Sequence, residues 1–382
     1  MKKIIVILLL SFLVSQTGFA QRKKLNFDDG WKFSFGNAAD PKKDFNYGIA
    51  AIFSKTGAAP ATAIAPNFND SNWRSLSLPH DWAVELPFVQ SPNFDVQSHG
   101  YKPVGGTYPE TSIGWYRKHF TISKKDSGQK FQLQFDGVFR DANYWINGFY
   151  LGNHKSGYVG VSYDITDYLR YDKENVIVVR VDATQYEGWF YEGAGIYRHV
   201  WMNQYNNIHL NQYPVFVYTK SIGKTAGLDI ETTVENESFT DAIVTVCNII
   251  TDRDGNKIAQ TAEQTVNLKA GTTSTIKQNI TVTDPRLWSL DDPYLYRVMP
   301  VVKSQGKIID TDTFRFGIRT INVTNKGVYL NGNYVKIKGT NNHQDHAGVG
   351  SALPDYLQYY RIFLLKQMGS NAYRTSHHPP TP

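Results

Sequence analysis

The sequence predicts a mostly β protein: a sandwich of jelly-roll size, an immunoglobulin-like sandwich, and one strand–helix–strand unit of an incomplete (β/α)8 barrel. Three observations carry this. Aromatic residues are abundant, with 24 Tyr, 21 Phe and 8 Trp in 382 residues, and with many Gly and few Met they favour sandwiches over helical bundles. Short alternating or continuous apolar runs recur to about residue 320, broken by Gly, Asn and Asp turn signals. Past that point one helical pattern lies between two strand-like runs. The length suggests two or three domains. They divide as 21–204, 205–320 and 321–382, after a leader at 1–20.

The leader has a basic start at Lys2 and Lys3, an apolar core at Ile4–Leu13, and Gly18-Phe19-Ala20 as a small-x-small cleavage site. Its apolar run is about ten residues, short of the roughly 20 that a membrane span needs. The expectation is a soluble chain starting at Gln21, periplasmic or secreted, with no membrane insertion after cleavage. The sole cysteine, Cys247, excludes an intramolecular disulfide, so stability must come from packed cores. Its place in the apolar run Ala242–Ile250 predicts an inert core thiol. Without Lys2 and Lys3 the formal charge of +6 becomes +4, scattered along the chain. That pattern excludes a nucleic-acid or membrane-surface patch.

In 21–204, Lys130–Phe135, Ala142–Ile146 and Asn175–Val181 read as strands, and Asn147-Gly148 closes a hairpin. In 205–320, Leu228–Val234, Ala242–Ile250, Ser274–Val282 and Leu295–Val302 are strands, with turns such as Asp252–Gly255. In 321–382, Val335–Gly339 is a strand running into a loop. Leu353–Met368 is a helix with apolar Leu357, Phe363, Leu364, Leu365 and Met368, punctuated by Pro354 and Gly369. Asn371–Arg374 is the next strand. A closed barrel needs eight such units in about 250 residues. One unit leaves the helix face without most of its partners and a sheet edge open, so the chain reads as a truncated product or a fragment.

Several ordered phrases resemble one family. Leu78-Pro-His-Asp-Trp82, Gly114-Trp-Tyr-Arg-Lys118, Phe135-Asp-Gly137, Ile146-Asn-Gly148, Tyr163–Leu169 and Gly188–Arg198 match recurring phrases of the sugar-binding domain of glycoside hydrolase family 2. Asp284-Pro-Arg-Leu-Trp288 and Asp292–Tyr296 resemble the end of its second domain. Asn371-Ala-Tyr-Arg374-Thr-Ser-His377-His-Pro379 resembles its first barrel signature. The family includes β-galactosidases, β-glucuronidases and β-mannosidases. The resemblance implies retaining hydrolysis of terminal β-glycosides by two glutamates, which must stand about 5–5.5 Å apart.

In the family the acid/base is a Glu preceded by Asn, downstream of the barrel signature. The one Asn-Glu pair here, Asn236-Glu237, lies in the second sandwich and reads as a solvated turn. Neither catalytic glutamate has a candidate. The resemblance does assign substrate-binding residues: Arg374, which in the family holds the catalytic glutamate, His377, and Asn341 with His343 after the first barrel strand. Asp345 stands where some relatives carry an acid. His343-Gln-Asp-His346 offers metal-ligand types, but with no third ligand nearby no metal or other cofactor is expected. Two positions depart from the pattern. His378 replaces the usual Tyr, and Trp189 stands where galactosidases and glucuronidases place an aspartate that reaches the sugar site, which leaves Glu187 or Glu192 as substitutes. The expected partner is a carbohydrate. Two readings stay open: the binding portion of a secreted β-glycosidase, inactive alone, or a non-catalytic carbohydrate-binding protein.

Overall fold

Whether a strand alternates or runs apolar reports how many of its faces are covered, and the first sandwich shows both cases. The computed structural model describes residues 22–48, 61–87, 104–185 and 191–381; the expected leader lies outside them. One sheet orders Lys23–Asn26, Val200–Tyr205, Lys130–Phe135 and Val161–Asp164. The other orders Arg74–Leu76, Trp31–Phe35, Ile113–Thr121, Glu174–Asp182, Ala142–Ile146 and Phe149–His154. Between the sheets lie Trp31, Phe131, Leu133, Phe135, Tyr144, Ile177 and Val179. A second cluster, with Trp115, Trp145, Val176 and Val178, covers the outer face of the larger sheet. Glu174–Asp182 is thus buried on both faces, which explains its continuous apolar run. Asn147 and Gly148 have φ of 52° and 86°, the left-handed pair that a tight hairpin requires.

The second sandwich pairs a sheet of Ile208–Ser221, Thr225–Asn236 and Thr272–Thr283 with one built on Ala242–Thr251 and Tyr296–Ser304. Cys247 is 2% exposed, as its apolar strand predicts. The expectation of a solvated turn at Asn236-Glu237 is corrected in part. Asn236 is fully buried, and its Nδ2 donates to the carbonyl oxygens of Thr240 and Leu268. A buried amide with both N–H groups bonded braces the turn from inside.

Next come a three-stranded antiparallel sheet, Ile321–Thr324, Gly327–Leu330 and Asn333–Val335, and a parallel pair, Gly339–His343 with Ala372–Ser376, joined through the helix Asp355–Gln367. The first parallel strand was expected at Val335–Gly339; it begins where that run ends. Asn371 sets this register. Its Oδ1 accepts from the Lys338 N–H at 2.8 Å and its Nδ2 donates to the Lys336 carbonyl at 3.0 Å, holding 336–338 outside the ladder. On the helix, Phe363, Leu364 and Met368 are exposed, as are Tyr356 and Tyr359, so its apolar face has few partners. Among the described residues no helix is long and apolar enough to cross a membrane.

Candidate active site

The parallel pair runs in register Gly339↔Ala372, Asn341↔Arg374 and His343↔Ser376. Residues two apart share a face, so Asn341, His343 and Arg374 stand on one side. Asn341 and His343 therefore lie on the strand itself, a correction to the loop placement. Gly339 allows the close approach, because a Cβ there would come within 2.4 Å of the Ala372 carbonyl oxygen. Arg374 Nη1 donates to Asn341 Oδ1 at 3.1 Å. The His343 and His377 rings meet edge to face at 5.2 Å. All four residues come together toward the C-terminal ends of the strands, where barrels build their sites. Asn341 and Arg374 are exposed, and His343 is half-buried.

Asp345 Oδ1 lies 4.0 Å from His343 Nδ1, and the Asp345 carbonyl accepts from Arg361 Nη2 at 2.7 Å. His346 is exposed, with Nδ1 2.9 Å from the Ala347 carbonyl oxygen. Among the described residues one group has ligand atoms close enough to hold a metal: His209, Glu235 and Glu237, in the second sandwich. Lys130 Nζ already sits 3.2 Å from Glu237 there.

Two residues of the first sandwich hold the barrel strands in place, and neither was singled out from the sequence. Asp81 is buried. Its Oδ1 accepts from the Ala83 and Ala194 N–H groups at 3.0 and 2.9 Å, and its Oδ2 from Tyr191 Oη and the Ser351 N–H, both at 2.8 Å. Burial pushes its carboxyl above the usual range, against these four donors. Gly193 and Gly350, at φ of 75° and 59°, line the carboxylate; a Cβ on either would meet Asp81 Oδ2 within 2.4 Å. Arg198 Nη2 donates to Gln344 Oε1 at 2.8 Å and to the Pro379 carbonyl at 2.5 Å, and Nη1 donates to the Tyr158 carbonyl at 3.1 Å. Burial lowers its pKa. Both residues fall within motif phrases, but only the fold shows that their partners are 270 and 146 residues away in sequence.

His378 stacks on Tyr158 with centroids 4.3 Å apart and planes within 13°. A planar ring is thus kept at the position that departs from the pattern, and burial lowers its pKa. Glu192 is buried and its carbonyl accepts from Ser351 Oγ at 3.3 Å. Glu187 and Trp189 lie outside the described residues.

The sequence profile of the sugar-binding domain of glycosyl hydrolases family 2 matches residues 59–206, that of the family's following domain 208–319, and that of its TIM barrel domain 321–382. The chain belongs to glycosyl hydrolase family 2. It is 37% identical to a beta-galactosidase of Bacteroides ovatus across 94% of this chain and 39% of the relative. A beta-glucuronidase of Formosa agariphila is 29% identical across 88% of this chain and 36% of its own length. Among solved structures, a family 2 member from Bacteroides cellulosilyticus superposes with a TM-score of 0.80 at 32% identity, over 94% of this chain and 43% of that one. The chain therefore spans about two fifths of the length of the first of these relatives.

Proposed function

We propose that this chain forms the sugar-facing part of a secreted, β-galactosidase-like retaining β-glycosidase, and that residues 21–382 supply substrate contacts but neither catalytic glutamate. The carrying observation is the Arg374–Asn341 pair at 3.1 Å, with the His343 and His377 rings beside it on one exposed face. A guanidinium has five N–H donors in a planar fork, and among the described residues Arg374 donates only to Asn341, so its fork can still seat a carboxylate. The imidazoles offer donors or acceptors to sugar hydroxyls. Cleavage also needs a positioned acid and a nucleophile. Asp345 Oδ1 stands 4.0 Å from His343 Nδ1, and one carboxylate does not make a pair. General acid catalysis alone contributes about 10²–10⁴-fold, so loss of both groups leaves the chain without appreciable turnover.

The test pairs turnover of aryl β-galactoside, β-glucuronide and β-mannoside with galactoside binding by the purified chain. The expected result is no turnover, with weak binding that falls on Arg374→Ala or His377→Ala. Turnover that disappears when a Glu within 21–382 is changed to Gln would move the active site elsewhere. N-terminal sequencing of exported protein should begin at Gln21.

A further inference from the structure

The smaller sheet of the first sandwich has two unlike faces. Met202, Leu133 and Phe131 turn inward. Outward, two rows cross the strands: Lys24, Asn203, Gln132 and Asp164, then Asn26, Trp201, Gln134 and Ser162. Gln134 and Asn203 are each 5% exposed, so their amides are largely withdrawn from solvent. They border a cavity of about 460 Å³ where the two sandwiches meet. Asn341, His343, Arg374 and His377 do not line it.

The amides are already oriented. Asn203 Nδ2 donates to Gln132 Oε1 and Gln134 Oε1, both at 3.2 Å. Gln134 Nε2 donates to Asp136 Oδ1 at 2.7 Å, and Trp201 Nε1 donates to Asp136 Oδ2 at 2.7 Å. Each amide has two donors and an acceptor with two lone pairs, so these bonds fix its direction and leave capacity for a ligand. The second sandwich supplies the facing wall through an interruption of its ladder. Pairing passes from Leu210↔Val234 to Val215↔Thr232, and Asn211–Pro214 are pushed out, with Tyr213 at φ of 53°. Bulges re-aim side chains and favour functional sites. Ser162 Oγ donates to Gln212 Oε1 at 3.3 Å across the gap, and the Tyr213 ring is 69% exposed.

We propose that this cavity is a second saccharide-binding site, separate from the barrel strand ends and selective for uncharged sugars. Amide pairs present a donor and an acceptor side by side, which suits vicinal hydroxyls, and the exposed Tyr213 offers apolar ring surface to C–H faces. Anionic ligands fit poorly: Asp136, Glu235, Glu237 and Asp312 all line the space. Of the cations that line it, Arg22 is committed to Asp310, His199 to Asp28 and Asp355, and Lys24 Nζ lies over the Trp201 ring, 4.2 Å from its centroid.

The test follows the Trp201 indole N–H resonance of the 15N-labelled full chain during titration with lactose, cellobiose and glucuronic acid. Lactose or cellobiose should shift it and glucuronic acid should not. The shift should survive Arg374→Ala. Asn203→Ala should weaken binding about fivefold, the loss of one net hydrogen bond. Tyr213→Ala, at an exposed position that leaves the cores intact, should weaken it as well. No indole shift with either neutral disaccharide, a stronger response to glucuronic acid, or a shift lost in Arg374→Ala but kept in Asn203→Ala would each overturn the assignment.

Discussion

Asp81→Asn isolates the clamp between the first sandwich and the barrel strands, since it alters one atom and little volume. The new NH2 must replace one carboxylate oxygen. At Oδ1 it would face two backbone donors, the Ala83 and Ala194 N–H groups. At Oδ2 it faces the Ser351 N–H and Tyr191 Oη, and the hydroxyl can turn to accept. The amide therefore takes the second orientation and orphans the Ser351 N–H. The flanking Gly193 and Gly350 leave no slack, because even a Cβ on either would clash with this carboxylate. An unsatisfied buried donor costs about 1–3 kcal/mol. The population with segment 346–351 detached should rise about 5- to 150-fold. Hydrogen exchange by mass spectrometry reads this directly: 346–351 should exchange faster, while the buried strand Ala142–Ile146 keeps its protection. Unchanged exchange at 346–351, or an equal rise in both segments, would refute the clamp.

His199 bonds Asp28 at 2.6 Å and Asp355 at 3.1 Å, and these bonds raise its pKa from 6.5 to about 9. Its contribution should be complete below pH 6.5 and lost as pH rises through 9, a slope in Tm that His199→Gln flattens. Burial alone would raise the Glu85 pKa, but hydrogen bonds from His80 and Arg74 bring it down to about 2. Its contribution is present above pH 4.5 and lost as pH falls toward 2, so Glu85→Gln should shrink the acid-side decline in Tm. Trp145 is 2% exposed and stacks on Trp115 at 6.0 Å; Trp145→Ala should cost about 3–5 kcal/mol in urea unfolding. Cys247 is buried, and burial pushes its thiol up. It should label slowly in native protein and quickly in urea.

Much of the fold was legible because it rests on local rules. The period-2 runs at Lys130–Phe135 and Ala142–Ile146, the left-handed pair Asn147-Gly148 and the punctuated helix after Pro354 depend only on nearby residues and on which faces are apolar. The boundary of the first barrel strand was not legible. Val335–Gly339 alternates as a strand would, but the Asn371 side chain, brought back by the helix, competes for its backbone. The motif phrases marked Asn341, His343, Arg374 and His377, whereas the shared face of the first three comes from the parallel register. Asp81 and Arg198 show the limit most plainly. A carboxylate becomes a clamp only when the chain delivers Ser351 to it, and Arg198 only when Gln344 arrives. The same holds for the amides of Gln132, Gln134 and Asn203, which read as the polar side of ordinary strands until the bulge at Asn211–Pro214 closes a cavity over them. Sequence fixes which side chains alternate to which face. What stands opposite that face is decided by pairings between residues far apart in the chain, which no local pattern encodes.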